Sequence, residues 1–187
     1  MTTTTRTRIQ TTPAVGRTAI VGAIAGVIAS LVMAMYAMIA ATTYQHIGFF
    51  TPLYHIASVF IDPSTMMTSM QQGMSGSNFY FAVGPAVVGA LVHMMVGAMY
   101  GIPLAFIVRQ TKLNGLNLVL AGMLYGVVVF AVSAWIGLPL AATIFSSGDQ
   151  ITNMASMVGY GTFLIEHIMF GVAAAVVLLP FARRAHT

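Results

Sequence analysis

The sequence predicts an all-α integral membrane protein with four transmembrane helices, arranged as two tandemly duplicated hairpins with both termini cytoplasmic. Three observations carry that reading. Of 187 residues, 58% are hydrophobic and only 5% charged, too few charges to cover a water-facing surface. Four continuous apolar runs, 18–43, 83–108, 116–140 and 160–179, each supply the roughly 20 residues that a ~30 Å hydrocarbon layer requires. The basic residues stand only at one set of helix ends. A membrane barrel would show alternating segments of about 10 residues instead.

Charge sets the expected orientation. Arg6, Arg8 and Arg17 precede the first run, Arg109 and Lys112 separate the second from the third, and Arg183 and Arg184 follow the fourth. Asp62 and Asp149 fall in the outer loops, which hold no lysine or arginine. The positive-inside rule therefore puts both termini in the cytoplasm, and the expected location is a prokaryotic plasma membrane crossed several times. Topology alone accounts for the +4 net charge. The expected partners are the lipid bilayer and other membrane subunits or a second copy, with no nucleic acid. The absence of cysteine excludes structural disulfides, thiolate metal sites and cysteine redox chemistry. No glycine-rich phosphate loop or nucleophile elbow occurs, so no catalytic residue is assigned.

Taken in order, residues 1–17 read as a threonine-rich disordered cytoplasmic tail, 18–182 as one transmembrane domain, and 183–187 as a second cytoplasmic tail. The first helix carries Gly22, Gly26 and Ser30 at four-residue spacing, and the third carries Gly122 and Gly126. With Gly97 and Gly171 these mark surfaces where helix backbones approach closely. The long outer connection contains an apolar stretch, 47–61, expected to lie on the outer interface or re-enter the bilayer. Tyr44, Tyr54, Tyr80, Trp135 and Tyr160 read as an outer aromatic belt. Pro103 should loosen the inner turns of the second helix, while Pro139 and Pro180 should end helices.

The duplication rests on matched features in matched order. Ala25, Gly26 and Ser30 answer Ala121, Gly122 and Gly126; Ile47 and Gly48 ahead of Pro52 and Leu53 answer Ile136 and Gly137 ahead of Pro139 and Leu140. An aspartate, an outer loop and a histidine helix then follow in both halves. His93, Gly97 and Arg109 repeat as His167, Gly171 and Arg183 at identical spacing. Both hairpins run in the same direction, so the repeat axis would lie along the membrane normal.

The same spacing defines a candidate site. Each histidine lies 16 residues from its arginine, about 24 Å along a helix, which sets both at one level in the outer hydrocarbon. Glu166 is the only acidic residue in a span, with no basic partner at that depth. As neighbours on a helix, Glu166 and His167 point about 100° apart, so one would serve a ligand and the other a helix contact. His93, His167 and Glu166 are the candidate metal or cofactor residues, with His46, His55, Met66, Met70, Met74 and Met94 as accessory ligands. Thioether with imidazole suits copper as Cu(I), and carboxylate with imidazole admits iron or zinc. Two imidazoles at one depth also fit haem b, although its propionates would meet no cation in the outer loops. The plain alternative makes the methionines packing and the histidines interhelical hydrogen-bonders.

Four functional classes fit these residues. A non-catalytic subunit or assembly factor of a larger membrane complex is favoured, because a small bundle with short polar parts leaves little room for independent catalysis. A transition-metal binding or transfer protein, a haem, pigment or quinone protein, and a small transporter are the others. The orientation is checked by introduced cysteines: Ser75→Cys should react with an impermeant thiol reagent from outside intact cells, and Asn114→Cys should not. The reverse pattern would invert the topology.

Overall fold

A computed structural model describes residues 12–185, with side chains described for 15–183. Among the described residues the fold is helical throughout, with no strand. The long helices are α1 (Thr12–Thr43), α4 (Val83–Thr111), α5 (Gly115–Val132) and α9 (Tyr160–Ala185). A π-helical turn, Ser133–Gly137, joins α5 to α6 (Leu138–Phe145) without a break. Four segments are long and apolar enough to cross a membrane: Val15–Thr43, Val83–Thr111, Gly115–Phe145 and Tyr160–Arg183. Short helices α2 (Thr51–Ala57), α3 (Ser64–Met74), α7 (Asp149–Thr152) and α8 (Met154–Val158) cap one end of the bundle.

Several boundaries differ from the sequence expectation. Helix α1 reaches back to Thr12, so 12–17 is helical and not tail; the rest of the expected N-terminal tail lies outside the described residues. At the other end α9 continues to Ala185, so the closing tail is helical that far. Pro180, expected to end its helix, lies inside α9, which continues past it; Pro103 lies inside α4, where no helix end was expected. Pro139 likewise does not terminate its span, since the wide π turn precedes it. Proline lacks the N–H that would reach the carbonyl four residues back and its ring crowds that carbonyl. An extra residue in the preceding turn moves that carbonyl aside, so the helix proceeds.

Packing is governed by two antiparallel crossings of small residues. On α1 and α4, Gly22 lies against Gly101, Gly26 against Gly97, and Ser30 against Gly97 and the turn bearing His93. On α5 and α9, Gly122 lies against Gly171 and Gly126 against the backbone of His167. A Cβ on Gly26 would overlap the Gly97 carbonyl, and one on Gly171 would overlap the Gly122 carbonyl. Lipid offers no hydrophobic force between helices, so close backbone contact and hydrogen bonds must hold them. At the crossings and on toward the arginine-bearing end, an alanine-rich core of Ala25, Ala29, Leu104, Ala105, Ala174, Ala175 and Leu178 fills the bundle.

The register recurs in the two pairs, but the packing between pairs does not. Helix α1 lies along α9, whereas α4 barely meets α5. A strict two-fold rotation would make those two contacts equal. The α4–α5 seam is instead bridged by the Tyr125 hydroxyl, which donates to the Tyr100 carbonyl at 2.6 Å, and by Ser133 Oγ, 3.3 Å from the Tyr100 hydroxyl.

The capping helices pack on the bundle and on each other. Leu53 of α2 crowds Gly89 of α4, six residues or about 9 Å inside the end of that helix. Tyr54 is buried, not part of an exposed belt: its hydroxyl donates to the Tyr80 carbonyl at 2.9 Å and accepts from the Ala82 N–H at 2.8 Å. Tyr44, Trp135 and Tyr160 are exposed at this end, the last two with stacked rings. The crossings yield a direct stability test. Gly26→Ala and Gly122→Ala should each cost about 1–3 kcal/mol in detergent unfolding, because the added methyl meets backbone and not a yielding side chain. Gly16→Ala, with nothing within 4 Å of the new Cβ, should leave stability unchanged or raise it by up to about 1 kcal/mol.

Candidate functional site

The crossings bring the polar residues of both halves to one cavity of about 340 Å3, between α4 on one side and α5–α6 on the other. His93, His167 and Glu166 all line it, as does His55 from the capping helix α2. Most of the remaining wall is apolar, including Met33, Val96, Met99, Leu138, Phe163 and Phe170. Glu166 and His167 both line the cavity, and of the two only His167 also makes a helix contact, through its Nδ1.

Each histidine is fixed by one carbonyl. His93 Nε2 donates across the α1–α4 crossing to the Ser30 carbonyl at 2.9 Å. His167 Nδ1 donates within α9 to the Phe163 carbonyl at 2.6 Å, with its ring 4.4 Å from the Phe163 ring. His55 Nε2 donates to the Gln150 carbonyl at 2.8 Å, tying the two capping segments together. A carbonyl can only accept, so the bonded nitrogen carries the hydrogen in each neutral ring and the other nitrogen keeps a lone pair. His93 and His55 are therefore Nε2–H tautomers, and His167 is the Nδ1–H tautomer.

Glu166 is 5% exposed and, among the described residues, has no hydrogen-bond partner or ion pair. A buried carboxyl left without a partner costs free energy, a cost lowered by protonation or by an external hydrogen-bond partner. The imidazole lone pairs supply the cavity with acceptors, and the Glu166 carboxyl accepts in either protonation state and donates when protonated.

The accessory candidates separate. His46 is exposed in a left-handed backbone conformation, φ 55°, and does not line the cavity. Met66 is buried against Tyr54 and Ala86, with Met70 packed on the same cluster. Met74 is 74% exposed on α3. Met94 also lies outside the cavity lining, where Met95 and Met99 are found instead. Sequence reading missed Tyr100 and Ser133; Tyr100 follows His93 and Gly97 at helical spacing, a signal that could have placed it on the same face.

Among the described residues no three histidine, aspartate or glutamate side chains converge on a point that could hold a metal ion. His93, His167 and Glu166 thus do not form a three-ligand cluster. Donation of the second ring nitrogen to a carbonyl is also how metal-bound histidines are oriented. No lysine or arginine occurs between residues 18 and 108 or between 113 and 182, which leaves haem propionates at this level unpaired. No protein-family model, curated protein or solved structure matches the chain.

The roof over the cavity has a built-in pH dependence. Burial pushes the His55 imidazole below its usual 6.5, while the bond to Gln150 pulls weakly the other way. With the folded value depressed, the unfolded chain binds the proton more readily. The associated stability is complete above about pH 6.5 and is lost as pH falls through the folded value. Melting between pH 8 and 5 should show this acid loss, and His55→Gln should flatten its part of the curve.

Proposed function

We propose that the protein is a small membrane protein that holds a lipid-soluble ligand bearing hydrogen-bond donors, of the quinol class, in the cavity between α4 and α5. The observation that supports this most directly is the unpartnered Glu166 carboxyl facing an otherwise apolar space beside imidazole lone pairs. Such acceptors favour a head group with hydroxyl or amino hydrogens, and the surrounding methionine, leucine and phenylalanine side chains favour an apolar body. The sparse α4–α5 contact offers the ligand a route from the lipid.

Within this reading the chain acts as a ligand-holding, non-catalytic subunit or assembly factor of a larger membrane complex, in keeping with the short connection between α4 and α5 on the arginine-bearing side. We further propose that the two hairpins arose by duplication and that both termini are cytoplasmic in a prokaryotic plasma membrane. The recurring crossing register supports the first proposal, and the one-sided basic residues support the second. After duplication the equivalent histidines diverged: opposite His93 stands Ser30, whose carbonyl takes the ring hydrogen, while opposite His167 stands Gly126.

A short-tailed benzoquinol added to the purified protein tests the ligand class. It should bind about tenfold more tightly than the oxidised quinone, which lacks the hydroxyl donors. Glu166→Leu and His167→Phe, which remove the acceptor at each position, should each weaken quinol binding by about tenfold, the worth of one good hydrogen bond to such a group. Equal binding of quinol and quinone, unaffected by both changes, would defeat the assignment. Copper or iron retained stoichiometrically, and lost from a His93→Ala, His167→Ala double variant, would put a metal in its place.

A further inference from the structure

A second recess lies at the opposite, arginine-bearing end of the bundle, on the outer side of the α1–α9 contact. Its volume is about 260 Å3 and its lining is Arg17, Val21 and Ile24 of α1 with Val177, Pro180 and Phe181 of α9. The spacing places each set on one helix face, so the recess is an apolar groove running along the bundle with the Arg17 guanidinium at its mouth. Arg17 is exposed. The chain's three acidic side chains, Asp62, Asp149 and Glu166, all lie toward the other end of the spans. No carboxylate side chain is therefore available to neutralise Arg17.

Next to Arg17 the surroundings are basic as well. Thr18 is buried, and Arg109 Nη1 donates to its hydroxyl at 3.3 Å, which draws the guanidinium of α4 toward the start of α1. The mouth of the groove thus presents positive charge at the level where lipid phosphates lie, while the groove itself presents only hydrocarbon.

We infer that this groove is a binding site for one anionic phospholipid, its phosphate against Arg17 and an acyl chain along Val21, Ile24, Val177 and Phe181. Pro180 contributes to the shape: its ring stands in the groove wall and its missing N–H leaves the Val176 carbonyl without the usual intrahelical donor. Basic pockets between helix ends are suited to anionic head groups, with about a fivefold preference per cation near the surface. The inference is independent of the cavity at the other end.

Native mass spectrometry of the full-length protein, supplied with equimolar phosphatidylglycerol and phosphatidylcholine of identical tails, tests it. Wild type should retain the glycerol lipid about fivefold more than the choline lipid. Arg17→Gln should bring the two near parity, whereas Lys112→Gln, a cation between α4 and α5, should leave the preference in place. Val177→Trp, which fills the groove, should reduce retention of the glycerol lipid while the melting temperature confirms that the bundle is folded. Equal retention of both lipids by wild type would mean unspecific boundary lipid or detergent only. A preference lost equally in the Arg17 and Lys112 variants would mean diffuse charge attraction, and either result overturns the site.

Discussion

Backbone contact at the two glycine crossings is the constraint on which the rest of the structure depends. In lipid the helices gain nothing by hiding apolar side chains from their surroundings, so they associate where small residues let main chains touch. Gly26 with Gly97 and Gly122 with Gly171 provide those contacts, and any Cβ there would strike backbone. Because the contact is backbone on backbone, it also fixes register. His93 sits one turn from Gly97 and His167 one turn from Gly171, so each crossing sets the depth and direction of one imidazole.

The cavity follows from what the crossings leave unpaired. Two tight pairs joined through α1 and α9 give one close seam and one open seam, and the open seam lies between α4 and α5. Tyr100, Tyr125 and Ser133 bridge it with hydroxyl groups, which keeps the helices apart by more than a glycine contact would. The capping helices then close the space from the loop end: Gln45 donates to the Val158 carbonyl, Ser147 to the Val59 carbonyl, and His55 to the Gln150 carbonyl. Each of these bonds joins the first half of the chain to the second.

Much of this was legible in the sequence, for physical reasons that differ by element. Spans were readable because a hydrocarbon layer imposes length and composition. The packing glycines were readable because their four-residue spacing puts them on one helix face. That His93 and His167 line one cavity is in keeping with their equal count of residues to Arg109 and Arg183. Continuation of helices past Pro139 and Pro180 was not readable, since local rules forbid it and only the π turn or the end of the span relieves the clash. The burial of Tyr54 and of Met66 was hidden for another reason: an aromatic and a thioether near a boundary look alike whether they face lipid or a capping helix. The choice of Met95 and Met99 over Met94 for the cavity depends on the rotation of α4, which the crossing with α1 sets.

The central claim is that the crossings hold His93 and His167 in opposite tautomers around one cavity. Nitrogen-15 NMR of histidine-labelled protein in lipid reads this directly, because protonated and bare imidazole nitrogens resonate far apart. The account predicts Nε2–H for His93 and Nδ1–H for His167, with Gly97→Ala disturbing the His93 signals and leaving those of His167 in place. The same tautomer at both positions, or His93 signals indifferent to the Gly97 change, would contradict it.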